Sequence, residues 1–247
     1  MDTTSRHRLV TICFATFALI LAQPAFATFA NSTGIARVPV QGTADEGFGV
    51  ALQVDGKTLV AGRCIGSGVA NWNPCVARLN TDGTLDTTFN ASGPLPGKRV
   101  ISSLRIDRAV LLRSVKVLVS GDGKILIATT CESSITGAQQ FCVARLNADG
   151  SSDNTFDGPD TTQPGNGHFI VPITSANDSL YDAAIQRIDD LIVLVGRCGG
   201  YHCVARLRAS DGGFDTDSDG AGFIGPSAAA DRAPADPGQV GRVVFRF

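Results

Sequence analysis

The chain has 247 residues, of which 43% are apolar and 18% charged, so it holds enough material for a core and is not globally disordered. Aromatic residues are scarce at 6% and glycines number 28, a composition of short strands and tight turns. The formal charge of −2 excludes a strongly basic nucleic-acid binder.

Residues 1–27 read as a secretory signal peptide. Arg6 and Arg8 precede an uncharged apolar run from Leu9 to Ala22, Gln23-Pro24 breaks it, and Ala25-Phe26-Ala27 is a small-residue cleavage site. The run is shorter than the roughly 20 residues that a membrane helix needs. The mature chain is expected to begin at Thr28 and to lie outside the cytoplasm, in a periplasm or secreted, with the outer membrane as a lesser alternative.

From residue 34 the chain is repetitive. Cys-Val-Ala-Arg-Leu occurs at Cys75, Cys142 and Cys203, each time before an Asp-Gly: Asp82-Gly83, Asp149-Gly150 and Asp211-Gly212. Upstream of each string lies a β-branched hairpin pattern turning at Asp55-Gly56, Asp122-Gly123 and, in a worn copy, Asp189-Asp190. A further short strand is expected after each unit, at 97–103, 167–173 and 241–247, and an equivalent one at 34–40 before the first. About thirteen strands result. The fold class is all-β, three antiparallel meander modules at about 34–96, 97–166 and 167–247. Leu104–Val119 is longer than its counterparts and leaves room for a short helical turn. Residues 209–239, rich in Gly, Ala, Asp and Pro, read as a long loop.

Without Cys13 in the leader, six cysteines remain: Cys64, Cys75, Cys131, Cys142, Cys198 and Cys203. An even number in an exported chain points to disulfides. Each repeated Cys has one partner at the end of the preceding strand, so the expected bonds are Cys64–Cys75, Cys131–Cys142 and Cys198–Cys203. Directly opposed positions of an antiparallel pair are close enough for the bond. Loops this short contribute about 2–3 kcal/mol each. Zinc is disfavoured, because the pairs belong to three separate modules.

Modules one and two closely follow A-L-Q-x-D-G-K-I-L-V-A-G, a variable loop, then A-R-L-N-x-D-G-S-L-D-x-x-F. On these blocks the chain resembles the delta-60 repeat family. The resemblance implies propeller-like blades and an exported protein, and it assigns no reaction. Three modules are few for a ring of four to eight blades. The chain is expected to form an open arc, to close a six-bladed ring as a homodimer, or to fold into one compact closed sheet.

Candidate functional residues are few. Arg78, Arg145 and Arg206 recur at one position, followed by Asp86, Asp153 and Asp215. A pair repeated in every module reads better as a structural brace than as a ring of cations binding an anion. Asp215, Asp217 and Asp219 match the first half of a calcium loop, but Pro226 stands where the bidentate Glu belongs; a weak calcium site and an acidic turn are the two readings. Trp72, beside Asn71, Asn73 and Pro74, has the composition of a protein- or glycan-contact residue and equally of a loop-packing one; Tyr201 and His202, in the shortest Cys-closed hairpin, are the other binding candidates. His168 and His202 are the only histidines of the mature chain, and neither has an evident nucleophile nearby in sequence. No nucleotide or hydrolase fingerprint is present, so no catalytic residue is expected. The leading expectation is a non-catalytic binding or surface scaffold. An exported hydrolase with a site in a central channel is the rival.

Overall fold

The computed structural model describes residues 34–42, 44–65, 71–106, 114–133, 136–159, 165–174, 176–215 and 223–224. The leader, Asp217, Asp219, Pro226 and the strand expected at 241–247 lie outside the described residues.

The described chain is all-β, three antiparallel four-stranded meanders. The first holds β1 (Glu46–Leu52), β2 (Thr58–Cys64), β3 (Asn73–Leu79) and β4 (Lys98–Val100) in that order. The second holds β5 (Lys116–Val119), β6 (Ile125–Glu132), β7 (Gln139–Leu146) and β8 (His168–Val171). The third holds β9 (Ser179–Gln186), β10 (Leu191–Cys198), β11 (Tyr201–Leu207) and β12 (Phe223–Ile224). Each trailing strand therefore completes the sheet before it. The strand beginning near residue 97 pairs with β3, so the sheets run 46–100, 116–171 and 179–224.

Two sequence expectations change. Residues 34–40 form no strand. Pro39 has no N–H to donate, and the N–H groups of Val40 and Gln41 go to the Asp45 carboxylate at 2.6 and 3.1 Å instead of to a ladder. In the third sheet the last position is taken by Phe223–Ile224, inside the stretch read as a loop, which pairs with Ala205 and Val204. The segment after Leu104 is not helical where described: Ile106 bridges Trp72 and Arg105 bridges Glu132.

The sheets pack face to face, β1 on β5 and β5 on β9. This excludes one compact closed sheet. No comparable packing joins β1 to β9 among the described residues, so the three modules form an open row. One core lies between sheets one and two, built on Leu59, Ala61 and Val76 against Val117, Ile125 and Ile127. The other lies between sheets two and three, built on Leu126, Ala128 and Val143 against Ile192, Leu194 and Ala205. Alternate side chains of β6 thus enter different cores, which is why Ile-Leu-Ile-Ala runs apolar without a break.

All three expected disulfides form, with Cα separations of 6.0, 5.9 and 5.8 Å. The cysteines are diagonal neighbours and not directly opposed: Cys75 faces Gly62, Cys142 faces Thr129 and Cys203 faces Gly196. At Gly62 and Gly196 the first strand of the sheet bulges, and a Cβ there would collide with the carbonyls of Glu46 and Ser179.

Among the described residues no helix is long and apolar enough to cross a membrane.

Two stability changes are expected. Replacing Cys131 and Cys142 by Ala should lower unfolding free energy by about 3 kcal/mol in urea titration, by the loop-entropy argument. At Asp190 a non-glycine residue holds φ +55° where modules one and two have Gly56 and Gly123. Asp190→Gly should therefore raise stability by about 1 kcal/mol in the same assay.

Candidate functional site

The recurring charges sit where one module meets the next. Nε of Arg78 donates to Asp86 at 2.7 Å, and Nε of Arg145 donates to Asp153 at 2.7 Å. In the third module Nη2 of Arg206 lies 2.5 Å from the Asp215 carboxylate. Each of the first two arginines also reaches forward. Arg78 donates to the Ala148 carbonyl at 2.6 Å, and Arg145 to the Ser210 carbonyl at 3.1 Å. Both carbonyls directly precede the Asp-Gly turn of the following module.

The aromatic residue of each block completes the joint. Arg78 stacks over Phe89 at 4.8 Å and Arg145 over Phe156 at 4.6 Å. Phe89 in turn lies against Gly150, and Phe156 against Gly212; a Cβ on either glycine would sit within 3 Å of the ring. The residue after the first Phe donates its N–H to the next turn, Asn90 to the Asp149 carbonyl at 2.5 Å. Asp157 does the same to the Asp211 carbonyl at 3.1 Å. Arginine, phenylalanine and one N–H thus grip the neighbouring turn from three sides.

Two lysines unmarked by the sequence reading join the carboxylates: Lys57 lies 3.0 Å from Asp86 and Lys124 2.5 Å from Asp153. Their signal was the repeated Asp-Gly-Lys triplet. Burial disfavours the charged Asp86, but the Thr88 hydroxyl, Lys57, the Thr88 N–H and Arg78 outweigh it and hold the carboxyl well below its usual range. At Asp153 burial is likewise overcome, by Lys124, the Thr155 hydroxyl and N–H, and Arg145. Asp211 is lowered chiefly by its hydrogen bond from Arg208, against a smaller cost of burial.

Between sheets two and three a cleft of about 800 Å³ opens beside this joint, bordered by Lys124, Arg145, Asp190, Arg206, Arg208 and Asp215. The lysine of the first two modules is Leu191 on this side. Asp153, behind Lys124 and Arg145, stays ionised, which suits polar recognition and is the opposite of what a general acid needs. Among the described residues no group of three or more His, Cys, Asp or Glu side chains could hold a metal. Asp215 itself is buried against Arg206, in the place that Asp86 and Asp153 occupy in their modules.

The three residues singled out for binding are not brought together. Trp72 is only 8% exposed, which agrees with the packing reading and not with an exposed contact residue. Its backbone pairs with Ile106, its ring packs into the first core, and the Arg63 guanidinium covers it at 4.6 Å. Tyr201 is 64% exposed and His202 is also exposed, at the start of β11 beyond the Gly199-Gly200 turn. His202 stands opposite Arg197 across the hairpin that Cys198–Cys203 closes.

Sequence separation hid one contact. The buried His168 places Nδ1 3.3 Å from the Ser103 hydroxyl and 3.4 Å from the Asn166 carbonyl. A carbonyl accepts only, so a proton on Nδ1 satisfies both contacts and makes the Ser103 oxygen an acceptor. A base activating Ser103 would need the opposite tautomer.

Residues 53–89 and 121–156 match the family model described as "Domain of unknown function (DUF5122) beta-propeller". The match supports a propeller-like repeat. It covers the first Asp-Gly turn, the strand after it, the repeated Cys strand and the gripping Phe of modules one and two. No curated protein matches the chain.

The ion pairs set an acid dependence. Asp86 and Asp153 have folded-state values depressed from 3.8, so their stabilisation is complete above the unfolded value and is lost as pH falls through the folded one. Asp153→Asn should cost about 3 kcal/mol at neutral pH, because Arg145 and Lys124 lose their buried counter-charge. Urea unfolding at descending pH should show the gap to the native chain narrowing as pH falls below 3.8 and closing only as it passes the depressed folded value.

Proposed function

We propose that this chain is an exported, non-catalytic β-repeat protein of the delta-60 type, a rigid scaffold that binds a protein or glycan ligand at its cysteine-closed hairpin ends. The observation that carries this reading is how the charged residues are used. The Arg, Lys and Asp side chains of the first two blocks are held in joints between modules, where the buried carboxylates are locked as anions. What faces outward differs from module to module. On the third, a disulfide-locked hairpin presents Tyr201, His202 and Arg197, an aromatic and basic set whose immobilisation costs little entropy on binding.

Three disulfides favour an oxidising compartment. Among the described residues the longest strands have 8 residues, short of the roughly 9–11 of a membrane-spanning β-strand, and this favours the periplasmic or secreted form over an outer-membrane one. The hydrolase alternative rests on the Ser103–His168 contact.

The mature chain, beginning at Thr28, should be recovered outside the cytoplasm. Ester, peptide, glycoside and phosphoester panels should give no turnover. A glycan array and immobilised envelope proteins should reveal saturable binding, weakened roughly tenfold by Tyr201→Ala with His202→Ala, at unchanged melting temperature. Turnover abolished by Ser103→Ala and by His168→Gln would replace this reading with the hydrolase.

A further inference from the structure

The module joint is made twice within the chain, and among the described residues an apolar face of each kind is left at the first and third sheets. In each sheet one face receives the preceding module and the other packs on the following one. The strand registers place equivalent residues unambiguously, because Val60, Ile127 and Leu194 all face the Ala of the repeated Cys-Val-Ala-Arg-Leu string.

On the receiving side, Val50, Val117 and Ala183 occupy the same position, opposite Val60, Ile127 and Leu194. Val117 is 4% exposed and Ala183 9%, each covered by the module before it. Val50 is 67% exposed, and Leu52, two residues along the same face, is 74% exposed. In the other modules the residues matching Leu52 are Val119 and Ile185, and both pack into the cores. The turn that a preceding module would grip is Thr81-Asp82-Gly83. Gly83 is half-buried, whereas its counterparts Gly150 and Gly212 are buried beneath Phe89 and Phe156.

On the opposite side, Leu59, Ala61 and Val76 of sheet one are buried against sheet two, as are Leu126, Ala128 and Val143 of sheet two against sheet three. Their counterparts in sheet three, Val193, Val195 and Val204, are apolar yet only half-buried. The Arg206 side chain is 33% exposed, against 9% for Arg78 and 5% for Arg145. Among the described residues the first and third sheets therefore carry two complementary apolar faces, each of the kind that the other would cover. Among the described residues of one chain they do not meet, since β1 and β9 show no packing like that of β1 on β5.

We propose that two copies of this chain join head to tail, sheet three of each seated on sheet one of the other, closing a six-module ring. Val193, Val195 and Val204 of one copy cover Val50 and Leu52 of the second. The contact is heterologous, and a two-fold axis repeats it to close the ring at six modules, within the usual range of four to eight. The internal joint, continued across the chain ends, identifies the partner as a second copy.

Light scattering of the oxidised mature chain after size exclusion tests this. The expected result is twice the chain mass. Val50→Asp with Leu52→Asp should give single-chain mass with native near-ultraviolet circular dichroism, since both side chains point to solvent in the single chain. Val193→Asp with Val204→Asp should do the same from the other face. Mixing the two variants pairs the intact face of each with the other's, so a species of two chains should reappear; a face that paired with itself would leave one variant dimeric when alone. Single-chain mass for the unaltered protein overturns the proposal, and is the outcome if residues 225–247 cover either face. So does a mass that keeps growing with concentration, or a Val50/Leu52 variant that stays dimeric.

Discussion

The structure depends on one repeated contact: a buried arginine held by its own module's aspartate while it grips the next module's turn. Neither half would stand alone. A buried guanidinium without a carboxylate is costly, and the turn carbonyl gives its remaining N–H groups an acceptor. Joined, they let strongly polar groups sit between two apolar sheets. The phenylalanine beneath the arginine closes the joint on a glycine, because a side chain at Gly150 or Gly212 would occupy the space of the ring. The joint is a device of register as much as of energy, since only one sliding position of sheet on sheet brings Arg78 to Ala148 and Phe89 to Gly150 together.

The disulfides act at the other end of each hairpin. They clamp the β2–β3, β6–β7 and β10–β11 pairs close to their loops, while the arginine joints hold the opposite, Asp-Gly end. Each sheet is thus fixed covalently within itself and by packing and ion pairs to its neighbour. A frame of this kind leaves the loops free to differ, while its ionised groups are committed to the frame. Middle and end modules also differ in kind. The second sheet is buried on both faces, and among the described residues the first and third each keep one apolar face with no module upon it.

Much of this was legible in the residues. The Cys-Val-Ala-Arg-Leu strings located β3, β7 and β11, and the Asp-Gly pairs located their turns, because a tight hairpin needs positive φ and the chemistry for it is local. The Arg-to-Asp spacing marked an intramodular pair. Other features were not legible, for a common reason. Arg78 meets a carbonyl 70 positions away, and His168 meets Ser103 across 65. Trp72, flanked by polar loop residues, looks exposed until Ile106 pairs with it and Arg63 covers it. The strand that ends the third sheet came from a Gly-rich stretch whose composition resembles a loop, because two residues in the right register suffice to extend the edge of β11.

By itself the sequence determined the class of fold, the number of modules, the cysteine partners and the hairpin turns, all of which rest on patterns within a few tens of residues. Tertiary structure alone decided how the modules stack, that the cysteines pair diagonally, which strand completes which sheet, and which apolar faces remain uncovered. Those outcomes depend on the fit of one sheet's side chains against another's. Such a fit is a property of surfaces assembled from distant segments, and no local pattern encodes it.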